Sequence, residues 1–344
     1  MQPKAFASIA EEKMSNTGVQ THRYALVGDI GGTNARFALV SLDLNQSIEL
    51  IDLQTVSCDE YSNIDAAILD FLERSSLDRK QIHSASIAVA GAVAADEFNM
   101  TNNHWRFSVR AVAEKLSFKR ITLLNDFAAI AWSIPSLRTD DWVAIGGGDC
   151  LDQEPVAVLG PGTGLGVGGF VSCGAQAIHV LETEGGHASF APVDEQEIQI
   201  LQYLQRRYPR VSSERLISGP GLENIYVALA EITGVAAPPR TAPEISRAAS
   251  VDEDELCISA MQQFCATLGS VAGDLALTYG AKAGVYIAGG IAPRILEFLQ
   301  ASAFRQRFEA KGRFSAYNAA IATRVVTAAQ PGLLGAAAHE RSLR

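Results

Sequence analysis

The chain has 344 residues, of which 48% are hydrophobic and 19% charged, and its formal net charge at pH 7 is -10. This composition is typical of a folded globular protein and excludes a disordered or fibrous chain, and the length predicts two domains. Because Lys and Arg nowhere form a cluster, the acidic balance argues against nucleic acid or an anionic membrane as the partner.

The first 23 residues are polar and lack the apolar core of a secretory signal, so we expect a flexible N-terminal extension over residues 1–23. No apolar run approaches the ~20 residues that a bilayer-spanning helix needs. The five cysteines form no CxxC pair, which argues against a disulfide framework or a structural zinc site. Reduced thiols in a cytoplasmic protein are the expectation.

Two short apolar runs, Tyr24–Val27 and Phe37–Val40, flank a glycine-rich centre and predict a β-hairpin that opens a sheet. Gly31 and Gly32 at the bend let the backbone approach a ligand, and their N–H groups can form an anion-binding nest. An ordinary hairpin turn explains these glycines equally well.

Polar side chains around this bend favour a phosphate site over a plain turn. Thr33 offers a hydroxyl, Asn34 an amide and Arg36 a planar cation suited to phosphate oxygens. Asp29 would repel a bare phosphate, so its position suggests a magnesium ion held through water.

Strands and helices alternate after the hairpin and predict a mixed sheet with helices on its faces. The predicted strands are 47–56, 84–90 and 120–124, and the predicted helices are 63–74, 108–116 and 127–133. A second round begins with another glycine-rich hairpin at 156–172 and continues with strands 177–181 and 284–288 and helices 194–207, 221–233 and 252–279. Two related halves would bring the two hairpins face to face across a cleft.

One motif match fails on its context. The run Gly164–Gly169 fits the dinucleotide-binding pattern GxGxxG, but it leads into the predicted strand Val167–Val171. A dinucleotide-binding turn opens a helix instead, so nicotinamide binding is not expected.

Asp126 stands between a predicted strand and a predicted helix. Asp is a common helix N-cap at such a place. The carboxyl ends of strands in α/β sheets also face the ligand crevice, where a carboxylate can accept the proton of an attacking hydroxyl. Both interpretations stay open on the sequence.

Further polar residues also allow two interpretations. Glu184 and His187 flank Gly185-Gly186 and fit either a solvated tight turn or a site for sugar hydroxyls. Glu214 is more typical of a solvated charge at a helix end, and Trp105 fits either the core or a platform at the cleft.

Five motifs, in this order along the chain, resemble the bacterial ATP-dependent glucokinases. They are Asp29-Ile-Gly-Gly-Thr-Asn-Ala-Arg36, Leu124-Asn-Asp-Phe127, Gly160-Pro-Gly-Thr-Gly-Leu-Gly166, Glu184-Gly-Gly-His187 and Arg215-Leu-Ile-Ser-Gly-Pro-Gly221. The resemblance implies an α/β fold with two ribonuclease-H-like domains of the actin-like ATPase type, mixed sheets flanked by helices, and an interdomain cleft. We expect a small domain at 24–136, completed by a C-terminal helix at 327–344, and a large domain at 137–326.

The resemblance also implies residue roles. Asp126 would be the catalytic base, and the glucose hydroxyls would meet Asn102 or Asn103, Asn125, Glu184, His187 and Glu214. The first hairpin and the second bend, at Gly162, Thr163 and Gly164, would hold the ATP phosphates, and Gly289 and Gly290 would lie at the adenosine. Mg2+ would accompany ATP, and such enzymes are commonly homodimers.

The resulting hypothesis is phosphoryl transfer from Mg-ATP to the 6-hydroxyl of glucose. A kinase for another hexose is one alternative, because side-chain geometry sets the stereochemistry. A non-catalytic actin-like or sugar-sensing protein that binds ATP is the other, although Glu184 and His187 favour an enzyme.

Overall fold

The structure is a computed structural model, and it describes residues 24–91, 93, 96–100, 103–174, 177–251 and 254–344. The first part of the chain forms a run of strands with three helices. In order these are β1 (Tyr24–Ile30), β2 (Asn34–Ser41), β3 (Ile51–Ser57), α1 (Ile64–Arg74), β4 (Ile82–Val89), β5 (Glu97–Asn99), β6 (Arg106–Ser108), α2 (Val109–Leu116), β7 (Arg120–Asn125) and α3 (Asp126–Ser133).

The second part begins with strands and then becomes mainly helical. Its elements are β8 (Trp142–Gly146), β9 (Val156–Pro161), β10 (Leu165–Ser172), β11 (Ile178–Thr183), α4 (Glu195–Gln205), α5 (Gly219–Thr233), α6 (Ala242–Ser250), α7 (Glu255–Tyr279), β12 (Val285–Ile287), α8 (Leu296–Ala301), α9 (Phe304–Glu309), α10 (Ser315–Ala319), β13 (Thr323–Val326) and α11 (Pro331–Ser342). Among the residues described, no helix is both long and apolar enough to cross a membrane.

The two principal sheets repeat one pattern. The first has the strand order β3-β2-β1-β4-β7, and the second has the order β11-β10-β9-β12-β13 with β8 added at the edge. In each, an antiparallel three-strand meander continues into parallel strands. The expected repetition of two related halves with mixed sheets is therefore confirmed.

Both predicted hairpins form. In the first, Ile30 pairs with Ala35 next to the bend, and in the second, Pro161 pairs with Leu165. The second hairpin differs from expectation, because β10 begins at Leu165 rather than at Phe170. Several glycines of this run therefore lie inside the strand. Position 166 needs glycine, because a Cβ there would overlap the ring of Phe127, which packs on that strand.

Helix α3 lies between the two sheets. Its residues Ile130 and Ala131 pack with apolar residues of the second sheet, while Ala129 packs with β1 and with α11. Helix α3 follows β7 of the first sheet directly and packs on the second sheet. Both halves of the molecule therefore fix the position of its first residue, Asp126.

The C-terminal helix α11 packs against α3, β1 and β4. Its buried Glu340 accepts hydrogen bonds from Ser84, from Ser86 at 2.6 Å and from Arg120 at 2.6 Å. The chain thus returns to its first sheet. The exact domain boundaries, at 136 and 326, stay a prediction. Trp105 is 1% exposed, so it belongs to the core and is not a platform at the cleft.

Candidate active site

A cavity of ≈ 980 Å³ lies where both glycine bends meet the start of α3. Gly31, Gly162 and Asp126 line it together. The other predicted site residues on its wall are Asp29, Gly32, Arg36, Asn125, Thr163, Gly164, Glu184, His187, Glu214, Gly289 and Gly290. Asp29 and Gly290, which are 261 positions apart in sequence, therefore share one cavity.

Some of the predicted residues lie elsewhere. Thr33 and Asn34 are exposed and are not on the cavity wall, and Asn102 lies outside the described residues. Asn103 is also off the wall, since its amide donates to the carbonyl of Gly31 at 3.2 Å and accepts from the N–H of Trp105 at 2.8 Å. Asn103 therefore supports the first bend, and a sugar contact for it stays a prediction.

Asp126 is the first residue of α3, and the cap of this helix is its neighbour Asn125. Asn125 Oδ1 accepts from the N–H groups of Phe127 at 2.9 Å and Ala128 at 3.2 Å. The N-cap interpretation of Asp126 is therefore wrong, because the Asn125 side chain already accepts hydrogen bonds from N–H groups of the first helical turn. The Asp126 carboxylate faces the cavity instead.

Burial raises the pKa of Asp126 to about 6, against the opposing hydrogen bond from the Phe127 N–H. The negative charges of Asp29 and Glu184 add to the increase in pKa. Because an effective general base has a pKa near the working pH, this carboxyl is matched to proton abstraction at neutral pH.

Asp29 is a second carboxylate on the cavity wall, and 25% of its side chain is exposed. Burial raises its pKa, and Arg36, whose Nη1 lies 3.6 Å from Asp29 Oδ2, opposes that increase. Gly332 at the start of α11 leaves the room that Asp29 needs, because a Cβ there would lie 3.0 Å from the carboxyl carbon.

The Asp29 carboxylate is an oxygen donor of the kind that Mg2+ binds. The described part of the chain has no group of three or more His, Cys, Asp or Glu side chains that could hold a metal ion alone. Mg2+ is usually bound by one or two carboxylates together with substrate phosphates and water. Asp29 would provide a carboxylate, and the two glycine bends would hold phosphates near it.

The residues that are predicted to bind sugar come from two short turns. The 3-10 turn Gly185–His187 places His187 Nε2 3.9 Å from Glu184 Oε2 and its Nδ1 3.9 Å from Glu214 Oε1. Glu214 lies in the 3-10 turn Ser213–Arg215, and its side chain is only 25% exposed. Its interpretation as a solvated helix-end charge is therefore wrong. The three side chains offer donors and acceptors to a polyhydroxylated ligand.

The second bend is held by backbone hydrogen bonds. Gly162 N–H donates to the carbonyl of Gly164 at 2.8 Å, and Gly219 N–H donates to the carbonyl of Gly162 at 2.8 Å. Gly289 faces this bend with φ +80°, and a Cβ there would lie 2.6 Å from the Pro161 carbonyl oxygen. Close backbone approach therefore requires glycine at 289.

Sequence reasoning missed Arg294, an exposed cation on the cavity wall in the 3-10 turn Ala292–Ile295. It follows the Gly289-Gly290 pair by four residues, but nothing in its local sequence separates it from the other surface arginines. Its position near the second bend makes it a further candidate contact for a nucleotide.

Comparisons with known proteins agree with this geometry. A family model described as Glucokinase matches residues 26–343. The glucokinase of Hahella chejuensis is 45% identical over 316 residues, which cover 92% of this chain and 96% of the relative. The glucokinase of Colwellia psychrerythraea is 44% identical over 319 residues, which cover 91% and 95%.

A solved structure of a glucokinase from an Antarctic psychrotroph has a TM-score of 0.82 at 38% identity, and the match covers 92% of this chain and 98% of that one. The expected fold, with mixed sheets of the actin-like ATPase type, is confirmed by this match. On the family model and these identities, the chain belongs to the glucokinase family.

Proposed function

We propose that this chain transfers the γ-phosphoryl group of ATP to the 6-hydroxyl of glucose, giving glucose 6-phosphate and ADP. The observation that carries the proposal is the single cavity in which both glycine bends face Asp126 and the sugar-side residues. Phosphoryl transfer depends chiefly on positioning and on charge stabilisation, and the cavity supplies groups for both.

Asp126 acts as the base in this proposal. Its Oδ1 accepts the Phe127 N–H at 2.9 Å, so we assign Oδ2 as the atom that takes the proton of the attacking hydroxyl. A positioned base of this kind contributes about 10²–10⁴ in rate. Asn125, Glu184, His187 and Glu214 hold the sugar so that its 6-hydroxyl reaches Asp126.

The donor side uses backbone amides and one cation. The Gly31 and Gly162 N–H groups donate within their own bends, so the N–H groups of Gly32, Thr163 and Gly164 would bind the phosphates. Arg36 pairs with phosphate oxygens as well as with Asp29. A bound Mg2+ supplies positive charge to the phosphate oxygens, with Asp29 as its protein partner. The adenosine lies on the side of Gly289 and Gly290.

The same proposal includes a homodimer, which follows from the family resemblance, and a cytoplasmic location, which follows from cysteines that form no CxxC pair or disulfide framework. It also includes the division into a small domain, 24–136 with 327–344, and a large domain, 137–326. Closure of two domains on sugar would keep water from competing with the sugar hydroxyl as the acceptor.

A coupled assay of ADP release across glucose, mannose and fructose tests the proposal. We expect turnover that depends on glucose and yields glucose 6-phosphate. Equal turnover with another hexose would transfer the proposal to that sugar, and ATP binding without sugar-dependent turnover would support a non-catalytic protein instead.

A further inference from the structure

We propose that Glu214 is also a positioning residue for the donor side: its carboxylate holds the Gly162–Gly164 bend in the shape that receives the nucleotide phosphates. One side chain thereby joins the sugar and nucleotide subsites. The coupling of the two subsites rests on the proposed function, whereas the support of the bend stands on the geometry alone.

The two oxygens of Glu214 face different subsites. Oε2 accepts the backbone N–H of Leu165 at 3.0 Å, and Oε1 lies 3.9 Å from Nδ1 of His187 on the sugar side. Leu165 follows the bend directly and begins β10. The hydrogen bond to its N–H therefore fixes the point where the bend enters the sheet.

Gly164 is shaped to admit this carboxylate. A Cβ at Gly164 would lie 2.5 Å from Glu214 Oε2, whereas a Cβ at Gly162 would have no atom within 4 Å. The backbone of Gly164 is not in the left-handed region, so its conformation does not require glycine. The space at this position is used by the Glu214 side chain.

The segment that carries Glu214 holds the bend at both of its ends. Ser218 Oγ donates to the Glu214 carbonyl at 2.8 Å, and the next residue, Gly219, donates its N–H to the Gly162 carbonyl at 2.8 Å. Leu216 is completely buried, which anchors the segment in the core. The bend is thus gripped at Gly162 through backbone and at Leu165 through Glu214.

A hydroxyl that binds Oε1 restricts the rotation of the whole carboxylate, because both oxygens share one terminal torsion. Sugar binding therefore orders Oε2 and the bend that it holds. The ordered bend binds phosphate with less entropy cost, so sugar raises nucleotide affinity, and the coupling is reciprocal.

Calorimetric titration with a non-hydrolysable ATP analogue, with and without saturating glucose, tests this role. Wild-type protein should bind the analogue at least about fivefold more tightly with glucose, the lower end of ordinary coupling between sites. Glu214→Ala should weaken sugar-free binding at least about fivefold and abolish the tightening. Glu214→Gln keeps an oxygen for the Leu165 N–H and should restore sugar-free binding.

Glu182→Ala is the matched control, because Glu182 is an exposed carboxylate of β11 that is not on the cavity wall. Its sugar-free affinity for the analogue should equal that of the wild type. The proposal would be overturned if folded Glu214→Ala bound the analogue as tightly as the wild type does, or if Glu214→Ala and the control variant weakened binding equally.

Hydrogen exchange on wild-type protein gives a test that needs no variant. Glucose without nucleotide should slow exchange of the Leu165 amide and of the bend before it, and unchanged exchange with bound glucose would overturn the coupling. If glucose gives no heat of binding, the proposed function fails, whereas the sugar-free affinities still decide whether Glu214 supports the bend.

Discussion

Asp126→Asn removes the proton acceptor but keeps the shape and the Oδ1 atom that accepts the Phe127 N–H. We expect kcat to fall by about 10²–10⁴, because that is the usual contribution of a positioned base. The calorimetric Kd for glucose should stay near the wild-type value. Asp149→Asn, at an exposed carboxylate away from the cavity, is the control. Near wild-type kcat in Asp126→Asn would show that another group takes the proton.

The pKa of about 6 for Asp126 predicts the pH dependence of the rate. The base must be ionised, so kcat/KM should rise with pH through an acid limb near pH 6 and level off above it. Asp126→Asn has no such ionisation and its residual rate should lack this limb. If the acid limb of kcat/KM for the wild type lay near pH 4 instead, burial would not raise the pKa of this carboxylate in the free enzyme.

The raised pKa of Asp126 also predicts that the free energy of unfolding falls over the same pH range in which kcat/KM rises. Burial raises the folded-state pKa of Asp126 from 3.8 to about 6. As pH rises between these values, the unfolded state ionises before the folded state does, so the wild type loses stability. Asp126→Asn should therefore be more stable by about 1–3 kcal/mol at pH 7 and nearly equal at pH 4, measured by urea unfolding. Equal stability at both pH values would contradict the raised pKa.

The junction between α3 and β10 positions Asp126 at the scale of elements. Phe127, the next residue, sets its ring against glycines of the second hairpin: a Cβ at Gly160 would lie 2.8 Å from its Cζ, and one at Gly166 would overlap the ring. The second sheet thus fixes a helix that follows the last strand of the first sheet. Motion of either element would displace the base.

Gly166→Ala tests this junction. The added methyl must displace the Phe127 ring, and overpacking of this kind costs about 1–3 kcal/mol of unfolding free energy. Because the ring is joined to Asp126, kcat should fall more than the glucose Kd changes. Gly219→Ala is the control for stability, since its Cβ would meet no atom closer than 3.7 Å. Unchanged kcat in Gly166→Ala would mean that the ring moves without displacing the base.

Periodicity and turn residues predicted most elements of the fold, and the errors have identifiable causes. Helix α6 was missed although Thr241 and Glu244 form a capping box before it, a signal that was present in the sequence. The short strands β8 and β13 were also missed, because four or five residues give too few alternations to separate a strand from a loop.

For the molecule as a whole, the repeated order of elements predicted the two halves and the shared cavity. The contacts that complete the cavity were not predictable, since they join residues far apart in sequence. The Glu214 hydrogen bond to Leu165 and the approach of Gly332 to Asp29 depend on how distant segments of the chain pack within each half. Motifs identify which residues belong to such a site, but only tertiary packing fixes their partners.

The return of α11 to the first sheet places the start of this helix, with Gly332, on the cavity wall. Glu340 secures this return: it is 1% exposed and accepts hydrogen bonds from Ser84, Ser86 and Arg120. Ser84 and Ser86 can accept as well as donate, but Arg120 can only donate, so an amide at 340 either turns its NH2 group toward the guanidinium or keeps its oxygen there and loses the ion pair. A buried group left without a suitable partner costs about 1–3 kcal/mol, and more where a charge is involved.

Glu340→Gln should therefore lower the free energy of unfolding by about 2–4 kcal/mol, while Glu297→Gln on the exposed part of α8 should change it by less than about 0.5 kcal/mol. Because α11 packs on α3 as well as on β1 and β4, its loosening should also expose the start of the helix that carries Asp126. Hydrogen exchange should then accelerate in α11 and α3 together, before global unfolding. Acceleration in α11 alone would mean that the C-terminal helix covers the first sheet without supporting the site, and the base would keep its position through β10 and Phe127.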